Sequence, residues 1–405
     1  MSLRLLSRQK KLAPGHLFLR TRTSQNYFST SRLSWAAAQL DASRLNVQKV
    51  SKAKDLPPPE QLVFGKSFTD HILSIEWDAE SGWAAPQIKP YGPLALDPAA
   101  VVFHYAFECF EGMKAFKDID GDIRLFRPDR NMARLNSSSE RICLPTFDSE
   151  EMIKLLKEYV KLEKNLIPDK KGYSLYLRPT MIGIDAGLGV GTPKKALLYV
   201  IASPVGPYYP TGFKAVRLEA TDYAVRAWPG GVGNKKLGAN YAPCILPQQQ
   251  AASRGFQQNL WLFGPEGNIT EVGTMNAFFV FKDSTTGKKE LATAPLDGTI
   301  LEGVTRDSIL ELARERLNPN EWKISERYCT IHEVAEAAKK GELVEAFGAG
   351  TAAIVSPIKE ISYHNEPIYV PLQEGKETGQ LTETVANWIS EIQYGIIDHP
   401  YCQKI

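Results

Sequence analysis

The chain has 405 residues, of which 43% are hydrophobic and 23% are charged, and its formal net charge is +2. This length exceeds what one hydrophobic core usually serves, so we expect two domains. The near-neutral charge gives no reason to expect a nucleic acid partner. No apolar run approaches the roughly 18 residues that a membrane-spanning helix needs, so no membrane partner is expected either.

The first 40 residues differ in composition from the rest. They contain no Asp or Glu, the first acidic residue is Asp41, and Arg, Lys, Ser and Thr are frequent. This composition is typical of an organellar transit peptide, and the apolar residues near the start are too few for a secretory signal. The alternative is a basic tail that carries no targeting information. We predict that residues 1–45 are a transit peptide that is removed.

The five cysteines are widely spaced and odd in number. There is no CxxC pair and no Cys/His cluster, so the sequence predicts neither a disulfide framework nor a metal site.

The first half of the chain predicts strands and one clear helix. The helix begins at Asp148 or Ser149, carries apolar residues on one face and ends before Pro168. Strands are predicted over residues 101–107, 173–178 and 196–203.

Residues 203–211 read SPVGPYYPT. Three prolines and a glycine in this stretch exclude a helix interior or a central strand. We therefore predict a smaller domain over residues 46–205, a linker over 206–212 and a larger domain over 213–405. In the larger domain, predicted strands (215–219, 260–263, 277–281) alternate with helices (from 305, 333–340, 381–394). The mixture of strands and helices indicates an α/β or α+β fold.

A glycine-rich segment with two adjacent lysines is the first candidate for chemistry. Residues 230–241 read GGVGNKKLGANY. Glycines permit close backbone approach, and a lysine amine in such a loop can form an imine with a carbonyl cofactor. The pattern itself does not choose between Lys235 and Lys236, and both could be solvated loop residues.

Three other segments suit a charged ligand. Glu271 precedes a very apolar strand, where an acid needs a partner such as a protonated ring nitrogen, unless it is a turn carboxylate in water. Residues 303–307 (GVTRD) open a helix and residues 348–352 (GAGTA) form a small-residue loop. Both could bind phosphate through N–H groups, or could be a capped helix and a tight turn.

These segments, together with FEGMKAF (110–116) and LYLRP (175–179), resemble the branched-chain amino acid aminotransferases in type and order. The resemblance extends from about Leu62 to the last helix. It implies the fold type IV of pyridoxal-phosphate (PLP) enzymes, with a smaller α/β domain and a larger pseudo-barrel-like domain. The first residues resemble the presequence of the mitochondrial members.

The resemblance also implies roles for individual residues. Lys236 would bind PLP covalently and move the proton during catalysis, Glu271 would pair with the pyridine nitrogen, and Tyr241 would donate a hydrogen bond to the phenolate. The phosphate would be bound by Arg134, Val304, Thr305 and Thr351.

For the substrates, the resemblance implies amino-group transfer between L-Leu, Ile or Val and 2-oxoglutarate by a ping-pong mechanism. Arg178 would meet the side-chain carboxylate of glutamate, and the amides near Thr351 and Ala352 would bind the α-carboxylate. Family members are homodimers in which residues near Tyr105 reach the neighbouring subunit's site. The aromatic pocket for the aliphatic chain would comprise Phe64, Tyr105, Phe110, Tyr176 and Tyr208.

Some members carry a redox CxxC motif after the phosphate-loop threonine, but Ala353 and Ser356 occupy those positions here. A thiol switch is therefore not expected. Two related activities share the lysine and the glutamate, D-amino-acid transamination and aminodeoxychorismate lysis. The FEGMK segment and the chain length favour the branched-chain enzymes over both. A PLP-binding protein without turnover is not supported, because all the residues that catalysis would need are present: Lys236, Glu271, Tyr241, Arg134 and Arg178.

Overall fold

Two β-sheets organise the protein, and the computed structural model describes residues 37–207 and 214–405. The first sheet is largely antiparallel, and its two longest strands, Ser174–Gly183 and Lys195–Val205, lie at its centre. Its strands from the first half of the chain are β1 (Asn46–Val47), β2 (His71–Asp78), β3 (Gly82–Trp83), β4 (Gln87–Pro90), β5 (Glu108–Phe110), β6 (Met113–Lys117), β7 (Ile123–Phe126), β8 (Ser174–Gly183) and β9 (Lys195–Val205).

The second sheet follows in the chain, and a final strand then returns to the first sheet. The second sheet contains β10 (Val216–Thr221), β11 (Gln258–Phe263), β12 (Asn268–Val272), β13 (Met275–Lys282), β14 (Lys289–Thr293), β15 (Trp322–Glu326), β16 (Leu343–Gly350), β17 (Ile354–Tyr363) and β18 (Glu366–Tyr369). The final strand, β19 (Cys402–Lys404), pairs antiparallel with β7 at the edge of the first sheet.

The second sheet closes on itself. Its order runs β12-β11-β10-β17-β16-β13, and β13 pairs back with β12, which produces a ring of six strands. Apolar side chains such as Leu218, Leu260 and Phe279 alternate into a core with almost no exposure. This ring confirms the predicted pseudo-barrel, and the α/β (α+β) class is also confirmed.

Seven α-helices accompany the sheets in the described residues. Asp148 caps the helix Ser149–Leu162 by accepting hydrogen bonds from the main-chain amides of Glu150 and Glu151, and Gly341, at a φ of 69°, ends the helix Ile331–Lys340. Both boundaries agree with the sequence prediction. The helices are α1 (Val101–Tyr105), α2 (Pro128–Arg141), α3 (Ser149–Leu162), α4 (Ile245–Ser253), α5 (Val304–Arg316), α6 (Ile331–Lys340) and α7 (Gln380–Gln393). In the part of the chain that the structure describes, no helix combines the length and apolarity that a bilayer crossing requires.

Two predictions of secondary structure were wrong or incomplete. The run 101–107, predicted as a strand, contains the short helix α1, because a short apolar run fits either structure. The helix α2 was not predicted. It packs Met132 and Leu135 into the core of the first sheet, and its remaining surface is polar.

The folded part begins earlier than the predicted end of the transit peptide. Ala38 pairs with Gly82, Leu40 is 3% exposed in the core of the first sheet, and the Ala42 amide donates to Glu151 Oε2 at 2.7 Å. Residues 37–45 therefore pack on the first sheet, and removal of residues 1–45 as a transit peptide stays a prediction. Residues 1–36 lie outside the described residues. So does most of the linker 206–212, and the division into two domains stays a prediction.

We expect a chain that begins at Asn46 to unfold at a lower temperature than a chain that begins at Ala37. The shorter chain loses Leu40, and removal of a buried leucine side chain costs about 2–5 kcal/mol. Thermal unfolding followed by circular dichroism measures the difference. Equal melting temperatures would show that residues 37–45 do not contribute to stability.

Candidate active site

A cavity of about 340 Å³ lies between residues of the first sheet and the open end of the barrel. Its lining includes all but two of the site residues predicted from the sequence. Those that line it are Phe64, Phe110, Arg134, Tyr176, Arg178, Lys236, Tyr241, Glu271, Val304, Thr305, Thr351 and Ala352. Of the other two, Tyr208 lies outside the described residues. Tyr105 ends α1 away from this cavity, where its hydroxyl donates to the Leu188 carbonyl.

The main chain of Lys236 is bound on both sides. Its amide donates to Ser138 Oγ at 2.9 Å, and its carbonyl accepts from the Phe110 amide at 3.0 Å. The Nζ atom lies in the cavity, 3.0 Å from Tyr241 Oη and 4.7 Å from the centre of the Phe110 ring. The neighbouring Lys235 Nζ points elsewhere and donates to Ser137 Oγ at 2.5 Å. The geometry thus distinguishes two lysines that the loop sequence left equivalent.

Close contacts fix the conformation of residues 230–241, the loop that carries Lys236. A Cβ atom at Gly233 would lie 2.5 Å from the Ala227 Cβ and 2.6 Å from the Thr299 carbonyl oxygen, so a larger residue does not fit there. The Asn240 side-chain amide donates to the carbonyls of Val232 and Lys235 at 2.9 and 2.8 Å. These contacts leave the amine of Lys236 on a rigid loop.

Glu271 lies on β12 beside the tight turn into β13. The turn consists of Gly273, at a φ of 56°, and Thr274, and it places Glu271 opposite Asn276. The carboxylate is buried. Its Oε1 accepts hydrogen bonds from the main-chain N–H of Leu301 at 2.8 Å and from the side-chain amide of Asn276 at 3.3 Å. Glu271 is therefore a fixed buried acid in the cavity wall.

Arg226 is the ion-pair partner of Glu271, and sequence reasoning missed it. The distance between Arg226 Nε and Glu271 Oε2 is 2.8 Å, and both side chains are buried. Burial raises the pKa of Glu271, and the charge of Arg226 opposes that rise. The need of a buried acid for a partner was a signal in the sequence, but Arg226 lies in an irregular segment whose position cannot be deduced from periodicity.

Arg134 forms a second buried ion pair, with Glu111, which sequence reasoning also missed. Two nitrogens of Arg134 donate to the two oxygens of Glu111 at 2.6 and 2.8 Å. Asn131, one turn earlier on α2, donates to the same carboxylate at 2.8 Å. Burial tends to lower the pKa of Arg134, but Glu111 outweighs it and the pKa is raised. Arg134 therefore stays charged at the cavity wall.

The N-terminus of α5 and the turn after β16 form a cup beside Arg134. Val304 and Thr305 are the first residues of α5, and Arg134 Nη1 donates to the Glu302 carbonyl at 2.9 Å just before it. Thr351 lines the same cavity. Helix N-terminal amides, hydroxyl groups and an arginine are the donors that a phosphate requires.

Arg178 marks an aromatic part of the cavity. Its guanidinium lies 4.7 Å from the Phe110 ring centre and 5.3 Å from that of Tyr176, which in turn packs edge-on against Phe64 at 4.9 Å. Nη2 donates to the Tyr176 hydroxyl at 3.1 Å, whereas the buried Nε has no partner among the described residues. A carboxylate would satisfy this donor.

The residues of the cavity fit PLP. An amine for the aldehyde, a buried acid for the ring nitrogen, a phenol and a phosphate cup line one space of adequate size. In contrast, no cluster of metal-ligating side chains occurs in residues 37–207 and 214–405.

Comparison with known proteins agrees with this site. The pattern of the amino-transferase class IV family matches residues 108–361, and the chain belongs to this family. The solved branched-chain amino acid aminotransferase of Thermobaculum terrenum in its PLP form has the same fold. Its TM-score is 0.64 at 22% identity, over 83% of this chain and 98% of that one.

Two relatives in Saccharomyces cerevisiae are much more similar in sequence. The cytosolic branched-chain-amino-acid aminotransferase is 69% identical over 362 residues, which cover 89% of this chain and 96% of the relative. The mitochondrial enzyme of the same name is 67% identical over 362 residues, 89% of this chain and 92% of the relative. The resemblance found in the sequence is confirmed.

We expect replacement of Arg226 by Met to destabilise the protein by about 3–5 kcal/mol, because it leaves the buried Glu271 without its cation. Arg226→Lys, which keeps the charge, serves as the matched control and should lose less. Urea unfolding of both variants gives the free energies. A Met variant as stable as the parent would mean that Glu271 does not depend on this partner.

Proposed function

We propose that the protein is a branched-chain amino acid aminotransferase with PLP as its cofactor. It would convert an L-branched-chain amino acid and 2-oxoglutarate into the branched 2-oxo acid and L-glutamate. The observation that carries the proposal is one cavity that contains the amine of Lys236 and, on its aromatic side, the guanidinium of Arg178, whose buried Nε has no partner among the described residues. The two yeast relatives support the choice of substrates.

PLP, when bound, supplies an electron-withdrawing ring that stabilises negative charge at the substrate Cα. Lys236 would hold it covalently, Tyr241 would donate a hydrogen bond to its phenolate, and the Glu271 carboxylate would accept a hydrogen bond from its ring nitrogen and keep that nitrogen protonated. The positive charge of Arg226 favours the ionised form of Glu271, which can then accept the hydrogen bond from the ring nitrogen. Arg134, Val304, Thr305 and Thr351 would bind the phosphate.

Lys236 would also transfer the proton. Its Nζ lies within hydrogen-bond reach of Tyr241 Oη, at 3.0 Å, and the Phe110 ring covers it. Once substrate displaces this amine, Lys236 can accept the proton from the substrate Cα and donate it again on the cofactor side. The bound main chain at Lys236 keeps the amine within reach during both steps.

The same cavity would accept an aliphatic and an acidic side chain in turn. The rings of Phe64, Phe110 and Tyr176 can bury an aliphatic chain, which is worth roughly 1.5–3 kcal/mol. Arg178 lies among these rings, and its unpartnered Nε would bind the side-chain carboxylate of glutamate. The amides near Thr351 and Ala352 would bind the α-carboxylate in both cases.

We also propose a homodimer in which Tyr105 reaches the partner's site. Tyr105 lies outside its own cavity, at a surface where Phe103, Leu188 and Val190 are each more than half exposed. Large apolar side chains that are exposed in this way are typical of an interface. Sedimentation velocity tests the dimer, and a monomer at micromolar concentration would contradict it.

For the location we propose mitochondria, since residues 1–40 have the composition of a transit peptide. The mitochondrial and cytosolic yeast relatives are similarly close, so identity does not decide. Fluorescence microscopy of a reporter fused after residues 1–36 distinguishes the two, and a cytosolic signal would contradict the proposal.

Lys236→Ala should abolish turnover of L-leucine, because the amine that would bind the cofactor and move the proton is lost. Lys235→Ala is the matched control. It loses one hydrogen bond, to Ser137, so its rate should fall by less than about tenfold. Coupled assays with L-leucine and D-alanine measure both. Full activity of the Lys236 variant, or a preference for D-alanine, would refute the proposed function.

Arg178→Met should raise the KM for 2-oxoglutarate by roughly 30-fold or more, equivalent to about 2 kcal/mol, because it removes the cation that faces the side-chain carboxylate. The half-reaction with L-leucine should change little. Arg217→Met, which removes a guanidinium paired with Glu360 outside the cavity, is the control. Equal losses for leucine and 2-oxoglutarate would contradict this role.

A further inference from the structure

Lys114 is a buried lysine that the proposed mechanism does not use. It lies on β6 at 7% exposure, and its Nζ donates to the Ala352 carbonyl at 2.8 Å. No carboxylate pairs with it within the described residues. Burial lowers the pKa of Lys114 to about 8, so its charge is held at an energetic cost. A buried amine with one main-chain partner calls for an explanation.

The position of Lys114 is directly behind the active-site wall. It lines a second cavity of about 20 Å³, which shares Val304, Thr305 and Thr351 with the main cavity. Lys114 itself does not line the main cavity, whereas Ala352 and Ala353 do. Lys114 therefore contacts the turn between β16 and β17 from the second cavity and not from the main cavity.

The turn that Lys114 contacts is conformationally strained. Gly350 pairs with Ile354, and Ile354 has a φ of 65°. A β-branched residue in this left-handed region is unfavourable and persists where surrounding contacts enforce it. The bond from Lys114 is one such contact, two residues before Ile354.

The planar peptide bond transmits this contact to the active site. In a trans peptide the carbonyl and the following N–H point in opposite directions. With the Ala352 carbonyl held on the Lys114 side, the Ala353 N–H points away from Lys114, and Ala353 is one of the residues that line the main cavity. We infer that Lys114 is a positioning residue that fixes this turn so that the Ala353 N–H can bind the α-carboxylate of the substrate.

This inference rests on the proposed function, and kinetics of the holoenzyme test it. Lys114→Met should raise the KM for L-leucine about tenfold or more with kcat changed by less than about threefold, the pattern of lost substrate binding. The dissociation constant of 4-methylpentanoate, followed by cofactor absorbance, should rise by a similar factor. Lys114→Arg keeps a charged donor and should restore part of both.

Lys117→Met is the matched control, because Lys117 lies on the same strand but is paired with Asp169 at the surface. It should leave KM and 4-methylpentanoate binding unchanged. If kcat and KM of Lys114→Met match the parent, or if Lys114→Arg is as impaired as Lys114→Met, the positioning role is refuted. Absence of leucine turnover in the parent would instead refute the proposed function.

A measurement without cofactor or substrate separates the inference from catalysis. Hydrogen–deuterium exchange of cofactor-free protein should be faster at residues 350–354 in Lys114→Met than in the parent or in Lys117→Met. The rest of the second sheet should exchange at the parent's rate. Unchanged exchange at this turn would overturn the inference, and so would faster exchange throughout the sheet, which indicates a general loss of stability.

Discussion

The main chain at Lys236 is bound from two directions, by Ser138 of α2 and by Phe110 of β5. Both partners belong to the first sheet and its helices, whereas the loop that carries Lys236 leaves the second sheet at β10. The reactive amine is thus fixed where the two sheets meet. The helix α2 also carries Arg134, so the same helix positions both the amine of Lys236 and one side of the phosphate cup.

Two buried acid–arginine pairs prepare the cavity for a charged ligand. Glu111 holds the fork of Arg134, and Arg226 holds Glu271. Each pair is formed in the protein itself, so the charged groups need little rearrangement when a ligand binds. The desolvation cost of such groups is met during folding, and losing one partner would leave the other charge buried.

The parts of this structure that could be predicted from sequence are those with a local cause. The cap at Asp148 and the stop at Gly341 have such causes, and so does the strand that follows Glu271. The short apolar run 101–107 has no periodicity that separates a helix from a strand, and α2 was missed because half of the residues that it buries are polar.

The candidate site likewise contains features that are visible in the local sequence and features that depend on distant contacts. Its residue types were visible in separate segments, and the choice of Lys236 over Lys235 required the family resemblance before the geometry agreed with it. The supporting residues Arg226 and Glu111 were missed because their importance lies in contacts with segments far away in the chain. Such contacts depend on tertiary packing, which residue spacing does not reveal.

The return of β19 to the first sheet affects how the chain can fold during synthesis. Strands β1 to β9 are complete by Val205, but their edge at β7 gains its neighbour only with Cys402–Lys404, after every strand of the barrel has been made. A ribosome hides its most recently added residues in the exit tunnel. The edge of the first sheet at β7 must therefore stay open until β19 has left the tunnel, and the barrel can close before the sheet that precedes it in the chain.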